Sequence, residues 1–237
     1  MRILDLFSGA GGAGWGYHLA GFGVVGVDIE HHEYPAGEFL EGDAIAILDD
    51  LDFLNTFDVV HASPPCQGYT TMSAKHAKAR AEWPKLIGTV REKLRAWGGV
   101  YVIENVVGAR RDMRNPIKLS GGMFGLGVDR PRLFESNIPL TAPKHVKPAS
   151  IVGVYGRNHD GRRLWTRADG SILRAARTLE EGQTAMGIDW MNWADLTEAV
   201  PPAYTEHIGR QLVSQVLRDT SNEDEEAAGI SDEEWVA

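Results

Sequence analysis

Between Arg2 and Ile103 the sequence alternates short apolar runs with helical stretches, and this restricts the chain to a mostly parallel sheet covered by helices. Arg2–Leu6 reads as the first strand and Ala13–Leu19 as a helix behind a glycine turn. Val24–Asp28 is a second strand ended by an acid. Gly42-Asp43 follows a short apolar segment, and Ala44–Leu54 has helical spacing. Phe57–Ala62 is a buried strand running into Ser63-Pro64-Pro65-Cys66-Gln67-Gly68. Trp83–Trp97 is predicted as a helix stopped by Gly98-Gly99. Val100–Ile103 then delivers Glu104 and Asn105 at the carboxyl end of a further strand. Open sheets of this kind gather functional groups at such ends, where Asp5, Asp28, Cys66 and Glu104 all stand.

Four spans follow from the changes of character along the chain: a core over residues 1–134, a small insertion over 135–175, a return to the core over 176–220, and an acidic tail over 221–237. The insertion carries Pro139, Pro143 and Pro148 with Arg157, Arg162, Arg163, Arg167 and Arg174, and reads as irregular with some β structure. Tyr204–Leu217 is predicted as a closing helix after Pro201-Pro202. The tail holds Glu223, Asp224, Glu225, Glu226, Asp232, Glu233 and Glu234 without a Lys or Arg, and is expected to be solvated and disordered. It accounts for most of the net charge of −9, so the acidity of the chain is no argument against a nucleic-acid partner. The sequence has no apolar run long enough to span a bilayer and no signal-peptide layout, and its single cysteine excludes an internal disulfide or a cysteine-rich zinc site. A cytoplasmic protein, monomeric in solution and without a membrane partner, is the expectation.

Asp5-Leu6-Phe7-Ser8-Gly9-Ala10-Gly11-Gly12-Ala13-Gly14 lies between strand and helix and contains G-x-G-x-x-G, with Asp28 near the distance of a ribose-binding acid. Taken alone, the turn fits nicotinamide, flavin or S-adenosylmethionine. Asp5 would face a cationic methionyl group but repel a pyrophosphate, and Phe7 offers an aromatic face to adenine; both favour S-adenosylmethionine. His31-His32-Glu33 lacks a third ligand at useful spacing and reads as a polar loop, so no metal is expected.

The ordered motifs across residues 2–215 resemble those of the cytosine-C5 DNA methyltransferases. Asp5 through Gly12 is similar to the first cofactor motif, Asp28 and Gly42-Asp43 to the second and third, Pro64-Pro65-Cys66-Gln67 to the catalytic motif and Glu104-Asn105-Val106 to the acid motif. Arg130-Pro131-Arg132 resembles the Arg-x-Arg element, Thr178 to Glu181 with Met186-Gly187 the ninth motif, and Val200-Pro201-Pro202 with Ile208-Gly209 the tenth. The resemblance implies an α/β, Rossmann-like methyltransferase sheet with a small target-recognition insertion. It implies Cys66 as the nucleophile that adds to cytosine C6, Glu104 as the acid at N3, Arg132 as the group holding O2 or Glu104, and Arg130 and Asn105 as supporting members of the site. The cofactor-binding residues it implies are Asp5, Phe7, Ser8, Gly9, Ala10, Gly11, Gly12, Asp28, Ile29, Asp43, Ala44, Pro64, Pro65, Glu198, Ala199 and Val200. Double-stranded DNA is the implied partner, with the target base flipped from the stack.

Lys75, Lys78, Arg80, Arg110, Arg111 and Arg114 are candidates for backbone contacts, and Gln67, Ser73 or a side chain from the basic insertion for filling the gap in the stack. Three departures from the family pattern stand out. Val128-Asp129 replaces the usual glutamine before Arg130, Thr197-Glu198 replaces the usual Gly-Asn, and the insertion is short. Glu198 leaves room for a modified cofactor, and so small an insertion implies a short recognition sequence or help from a partner. Compactness of this kind resembles stand-alone, phage-encoded methylases acting in a bacterial host. The other readings of the residues are a tRNA cytosine-C5 methyltransferase, a nicotinamide-dependent oxidoreductase and a non-catalytic DNA-binding protein.

Overall fold

The structure, a computed structural model, describes residues 1–69, 83–146, 151–156, 164–166 and 172–229. Its centre is a seven-stranded sheet in the order β3-β2-β1-β4-β5-β7-β6. The strands are β1 Arg2–Leu6, β2 Gly23–Asp28, β3 Gly37–Glu41, β4 Val59–Ala62, β5 Val100–Val106, β6 Ile117–Leu119 and β7 Arg132–Ser136. The first five run parallel, and β7 inserts antiparallel beside β5. Strand order reverses beside β1, with β2 on one side and β4 on the other, so the crevice for a ligand opens at the carboxyl ends of β1 and β4.

Alternation along each strand divides the core. Leu4, Leu6, Val25, Val27, Val60, Ala62, Tyr101 and Ile103 face α2 (Ala44–Ile47), α3 (Leu51–Leu54) and α4 (Ile87–Trp97). On the opposite face Ile3, Val24, Val59, Val102 and Phe134 pack with α1 (Gly12–Leu19) and the long closing helix α5 (Pro202–Gly229). Those two helices meet closely because Gly16 has no side chain. A Cβ there would lie 2.1 Å from both the Pro202 carbonyl oxygen and Thr205 Oγ1. The contact is sealed by Thr205 Oγ1 donating to the Ala13 carbonyl at 2.8 Å. A buried ion pair, Arg91 of α4 with Glu135 of β7, ties helix to strand, and Glu135 Oε2 also accepts from the Arg114 amide.

Several boundaries differ from the sequence expectation. The predicted helix over 44–54 is two short helices, because Asp50 caps a new start by accepting from the Phe53 amide. The helix predicted from Trp83 begins at Ile87, since Pro84 disfavours helical backbone at Trp83 before it. Glu104 and Asn105 lie inside β5, paired with β7, rather than beyond its end. β7 keeps the chain in the main sheet to Ser136, so the insertion leaves the core after that residue. Its described parts include β8 (Val152–Gly153), β9 (Leu164–Thr166) and β10 (Ile172–Ala175), which form a second small sheet. The closing helix runs past Leu217 to Gly229, taking the first half of the acidic stretch into helix where coil was expected. Glu and Ala, abundant there, are good helix formers. The remainder of the tail, 230–237, lies outside the described residues.

Candidate active site

Four structural elements converge at the carboxyl edge of the sheet. Antiparallel pairing sets Val106 opposite Arg132 and Glu104 opposite Phe134, so Glu104 and Arg132 are diagonal neighbours on one face. Arg132 Nε lies 3.1 Å from Glu104 Oε1. The approach lies outside hydrogen-bonding geometry, leaving that buried oxygen without a hydrogen-bond partner among the described residues. Burial pushes the Glu104 carboxyl up from the usual range, while Arg132, the Ser63 hydroxyl and Arg130 pull it back. Cys66 follows β4 by four residues and is partly exposed. Burial and then the Glu104 carboxylate push its thiol up, and Arg132 and Arg130 act against this. Cys66, Glu104 and Arg132 therefore share one electrostatic environment.

Asn105 and Arg130 hold this place together. Asn105 donates to the Pro64 carbonyl at 2.7 Å and fastens the Pro64-Pro65-Cys66 loop to β5. Arg130, almost fully buried, donates to the carbonyls of Ala199 at 2.8 Å, Thr197 at 2.6 Å and Val154 at 3.1 Å. Burial, followed by repulsion from Arg132, lowers its guanidinium to about 10. The resemblance makes Arg130 a supporting member of the site, and here three of its five N–H donors are committed to backbone carbonyls of the chain. They clamp the segment carrying Glu198, Ala199 and Val200 beside the glycine turn, where a Cβ on Gly12 would lie 2.6 Å from the Val200 carbonyl.

The turn itself has the shape of a ligand cradle. Phe7, Gly9 and Gly11 adopt positive φ, and Gly11 must remain small because a Cβ would touch the Tyr34 ring at 3.0 Å. Asp28 Oδ2 accepts from the Gly9 amide at 2.8 Å, and the Trp190 indole donates to the Ala10 carbonyl at 2.9 Å. Two buried polar atoms at the turn, Asp5 Oδ1 and Ser8 Oγ, have no hydrogen-bond partner among the described residues. Unsatisfied buried atoms at a sheet's ligand crevice are what a polar ligand would satisfy. Ile29 is 71% exposed just past Asp28, an apolar surface beside the turn. Asp43 caps α2 through the Ile45 amide, with Ala44 buried behind it. These residues fit S-adenosylmethionine.

Burial drives Asp5 up to about 7 despite the hydrogen bond from Tyr34, and Asp28 adds to the rise. An acid raised this way binds its proton more tightly in the folded chain, so stability falls as pH climbs from the usual aspartate range through about 7. Asp5→Asn is expected to raise the Tm of the ligand-free protein at pH 8 and to weaken S-adenosylmethionine binding in calorimetry at the same pH. A lower Tm at pH 8, or unchanged affinity, would contradict this role.

Among the other candidates, Arg110, Arg111 and Arg114 are exposed on the segment after β5. Arg174 is paired with Glu181, at 2.6 Å. Ser73, Lys75, Lys78, Arg80, Arg157, Arg162, Arg163 and Arg167 lie outside the described residues. Sequence reasoning missed Tyr34, whose ring fills the space over Gly26 and whose hydroxyl reaches Asp5. It also missed His61, read only as part of an apolar strand. A histidine within a buried parallel strand was itself the signal, because such a group requires partners.

No family model matches the chain. Curated relatives are type II methyltransferases: M1.HphI of Haemophilus parahaemolyticus is 37% identical over 97 residues, and M.AgeI of Thalassovita gelatinovora 32% over 141. These matches take in 36% and 52% of this chain but only 26% and 30% of the relatives' lengths. A solved prophage-encoded E. coli protein, assigned as a DNA modification methyltransferase, superposes with a TM-score of 0.63 over 92% of this chain and 99% of its own, at 16% identity. The chain is thus similar over part of its length to type II methyltransferases and shares the fold of a DNA modification methyltransferase. Spodoptera frugiperda DNMT2 shares the fold as well, with a TM-score of 0.53 at 13% identity over 90% of this chain and 99% of its own. The mostly parallel seven-stranded sheet is thus the Rossmann-like methyltransferase fold. No helix among the described residues is long and apolar enough to cross a membrane.

Proposed function

We propose that the chain transfers a methyl group from S-adenosylmethionine to C5 of cytosine in double-stranded DNA. The observation that carries this reading is the sole cysteine standing in the same electrostatic field as a buried glutamate and its arginine. Cytosine C5 is a weak nucleophile while the ring is aromatic. Cys66 loses its thiol proton to water as its sulfur bonds to C6, and Glu104 in its acid form gives a proton to N3, so that C5 becomes enamine-like. Arg132 steadies Glu104 against the reacting base. S-adenosylmethionine, when bound, supplies the electrophilic methyl group for that carbon. Loss of the C5 proton to a base then breaks the C6–S bond and returns Cys66, and the N3 proton goes back to Glu104 as the ring regains its aromaticity.

The raised thiol is held protonated at neutral pH in the free protein, which protects it until substrate enters. A target carbon inside the duplex is out of reach, so the cytosine must leave the stack to meet Cys66. Exposed Arg110, Arg111 and Arg114 are suited to the backbone contacts such flipping requires. The short insertion suits a short recognition sequence.

The type II relatives leave the methylated atom open, and nucleoside mass spectrometry decides it. DNA from a methylation-free host expressing the chain is expected to gain 5-methylcytosine. N4-methylcytosine, N6-methyladenine or methylation confined to tRNA would overturn the proposal.

A further inference from the structure

Three strands place polar residues in one row beneath the candidate site. β1 and β4 pair Asp5 with His61, and β4 and β5 pair His61 with Val102, two residues before Glu104. Asp5, His61 and Glu104 therefore share the sheet face covered by α1, where apolar residues would otherwise be expected. His61 is fully buried, and both its ring nitrogens are engaged. Nδ1 lies 2.9 Å from the Tyr17 hydroxyl, and Nε2 lies 2.9 Å from Ser63 Oγ. The β4–β5 register, carried one step past Ala62 and Ile103, sets Ser63 beside Glu104 on this same face, where its hydroxyl pulls the Glu104 carboxyl down.

We propose that Tyr17, His61 and Ser63 form a one-way hydrogen-bond relay that ends on Glu104 and positions it, making His61 and Ser63 positioning residues of the active site. The direction follows from proton counting. Ser63 has one hydroxyl proton, and giving it to the carboxylate requires Ser63 Oγ to accept from His61 Nε2–H. A neutral histidine protonated at Nε2 has a bare Nδ1, which accepts from the Tyr17 hydroxyl. The opposite direction would leave the buried Tyr17 O–H without an acceptor among the described residues, at a desolvation cost. Burial lowers His61 to about 3, so the ring remains neutral throughout the physiological range.

The relay balances the groups around Glu104. Burial favours the acid form, while Arg132 from β7 and Arg130 ahead of it favour the carboxylate. Asp5 from β1, Tyr17 from α1 and Cys66 from the loop after β4 also feel its charge. Ser63 is the neutral donor among them, and its orientation depends on a histidine that the reaction never touches. Its importance for catalysis rests on the cytosine-C5 reading above; the geometry of the relay does not.

The test uses the full chain labelled with carboxyl-13C glutamate and ring-15N histidine, the Glu104 resonance being assigned with Glu104→Gln. The wild type should show His61 as the Nε2–H tautomer. Ser63→Ala should move the Glu104 titration midpoint to higher pH, and Ser63→Thr, which keeps the hydroxyl, should move it back. Tyr17→Phe should mix the His61 tautomers without breaking the fold. An Nδ1–H tautomer in the wild type, or a Glu104 midpoint indifferent to Ser63→Ala, would overturn the relay. Should Ser63→Ala fail to fold, the wild-type tautomer and Tyr17→Phe decide alone. In single-turnover methylation Ser63→Ala should be roughly tenfold slower on its plateau, because Glu104 is no longer held in place, while the Glu104-dependent limb moves to higher pH. Absence of methylation in the wild type alongside the expected titrations would refute the assigned activity and leave the relay standing.

Discussion

Glu104→Gln is expected to slow single-turnover methyl transfer by roughly 10²–10⁴-fold, the range typical of a lost general acid, while leaving DNA affinity and Tm near those of the wild type. The substitution preserves shape and can still offer an N–H toward a ring nitrogen, but it has no proton to transfer. The effect should appear in the chemical step, because Glu104 is buried at the floor of the site and acts only on a base already admitted. The limb of the pH–rate profile that Glu104 titrates should disappear with it. A variant within threefold of the wild-type rate would remove Glu104 from the chemistry.

The second large effect is structural. Arg130→Ala is expected to lower unfolding free energy by about 3 kcal/mol or more in urea titrations, since three backbone carbonyls lose their donors in a buried setting. Freed from Arg130, the Thr197–Ala199 segment loses its fixed place beside the glycine turn, and S-adenosylmethionine affinity should fall with stability. Arg130→Lys should rescue little, because one ammonium cannot reproduce a planar fork aimed at three acceptors. A loss below about 1 kcal/mol, with catalysis abolished, would instead make Arg130 a group acting on the base.

How far the sequence discloses this site depends on how local each signal is. The strands that carry Asp5 and Asp28 and the one that leads into the Cys66 loop were legible because short β-branched and apolar runs ended by glycine, acid or proline are local signals. The juxtaposition of Glu104 with Arg132 was legible only through motif resemblance. It depends on an antiparallel register between strands separated by the whole of residues 107–131. The role of Arg130 was illegible, since its acceptors at Thr197 and Ala199 lie nearly seventy residues away and are backbone atoms that leave no mark in composition. Tyr34 and His61 were missed for a related reason. A tyrosine in a loop becomes informative only when the sheet sets it under the glycine turn, and the histidine in an apolar strand signals a need for partners without naming Ser63 and Tyr17. Helix starts were misplaced where a single residue, Asp50 or Pro84, outweighed the periodicity around it.

Covalent trapping tests the central claim, that Cys66 attacks the cytosine ring, most directly. Incubated with S-adenosylmethionine and duplex DNA bearing 5-fluorocytosine at the methylated position, the wild-type chain should form a denaturation-resistant protein–DNA adduct, because fluorine in place of the C5 hydrogen blocks release of the thiol. Cys66→Ala should form none under the same conditions. An adduct that forms equally well without the Cys66 thiol, or its absence from a wild type that methylates the unfluorinated duplex, would contradict the account.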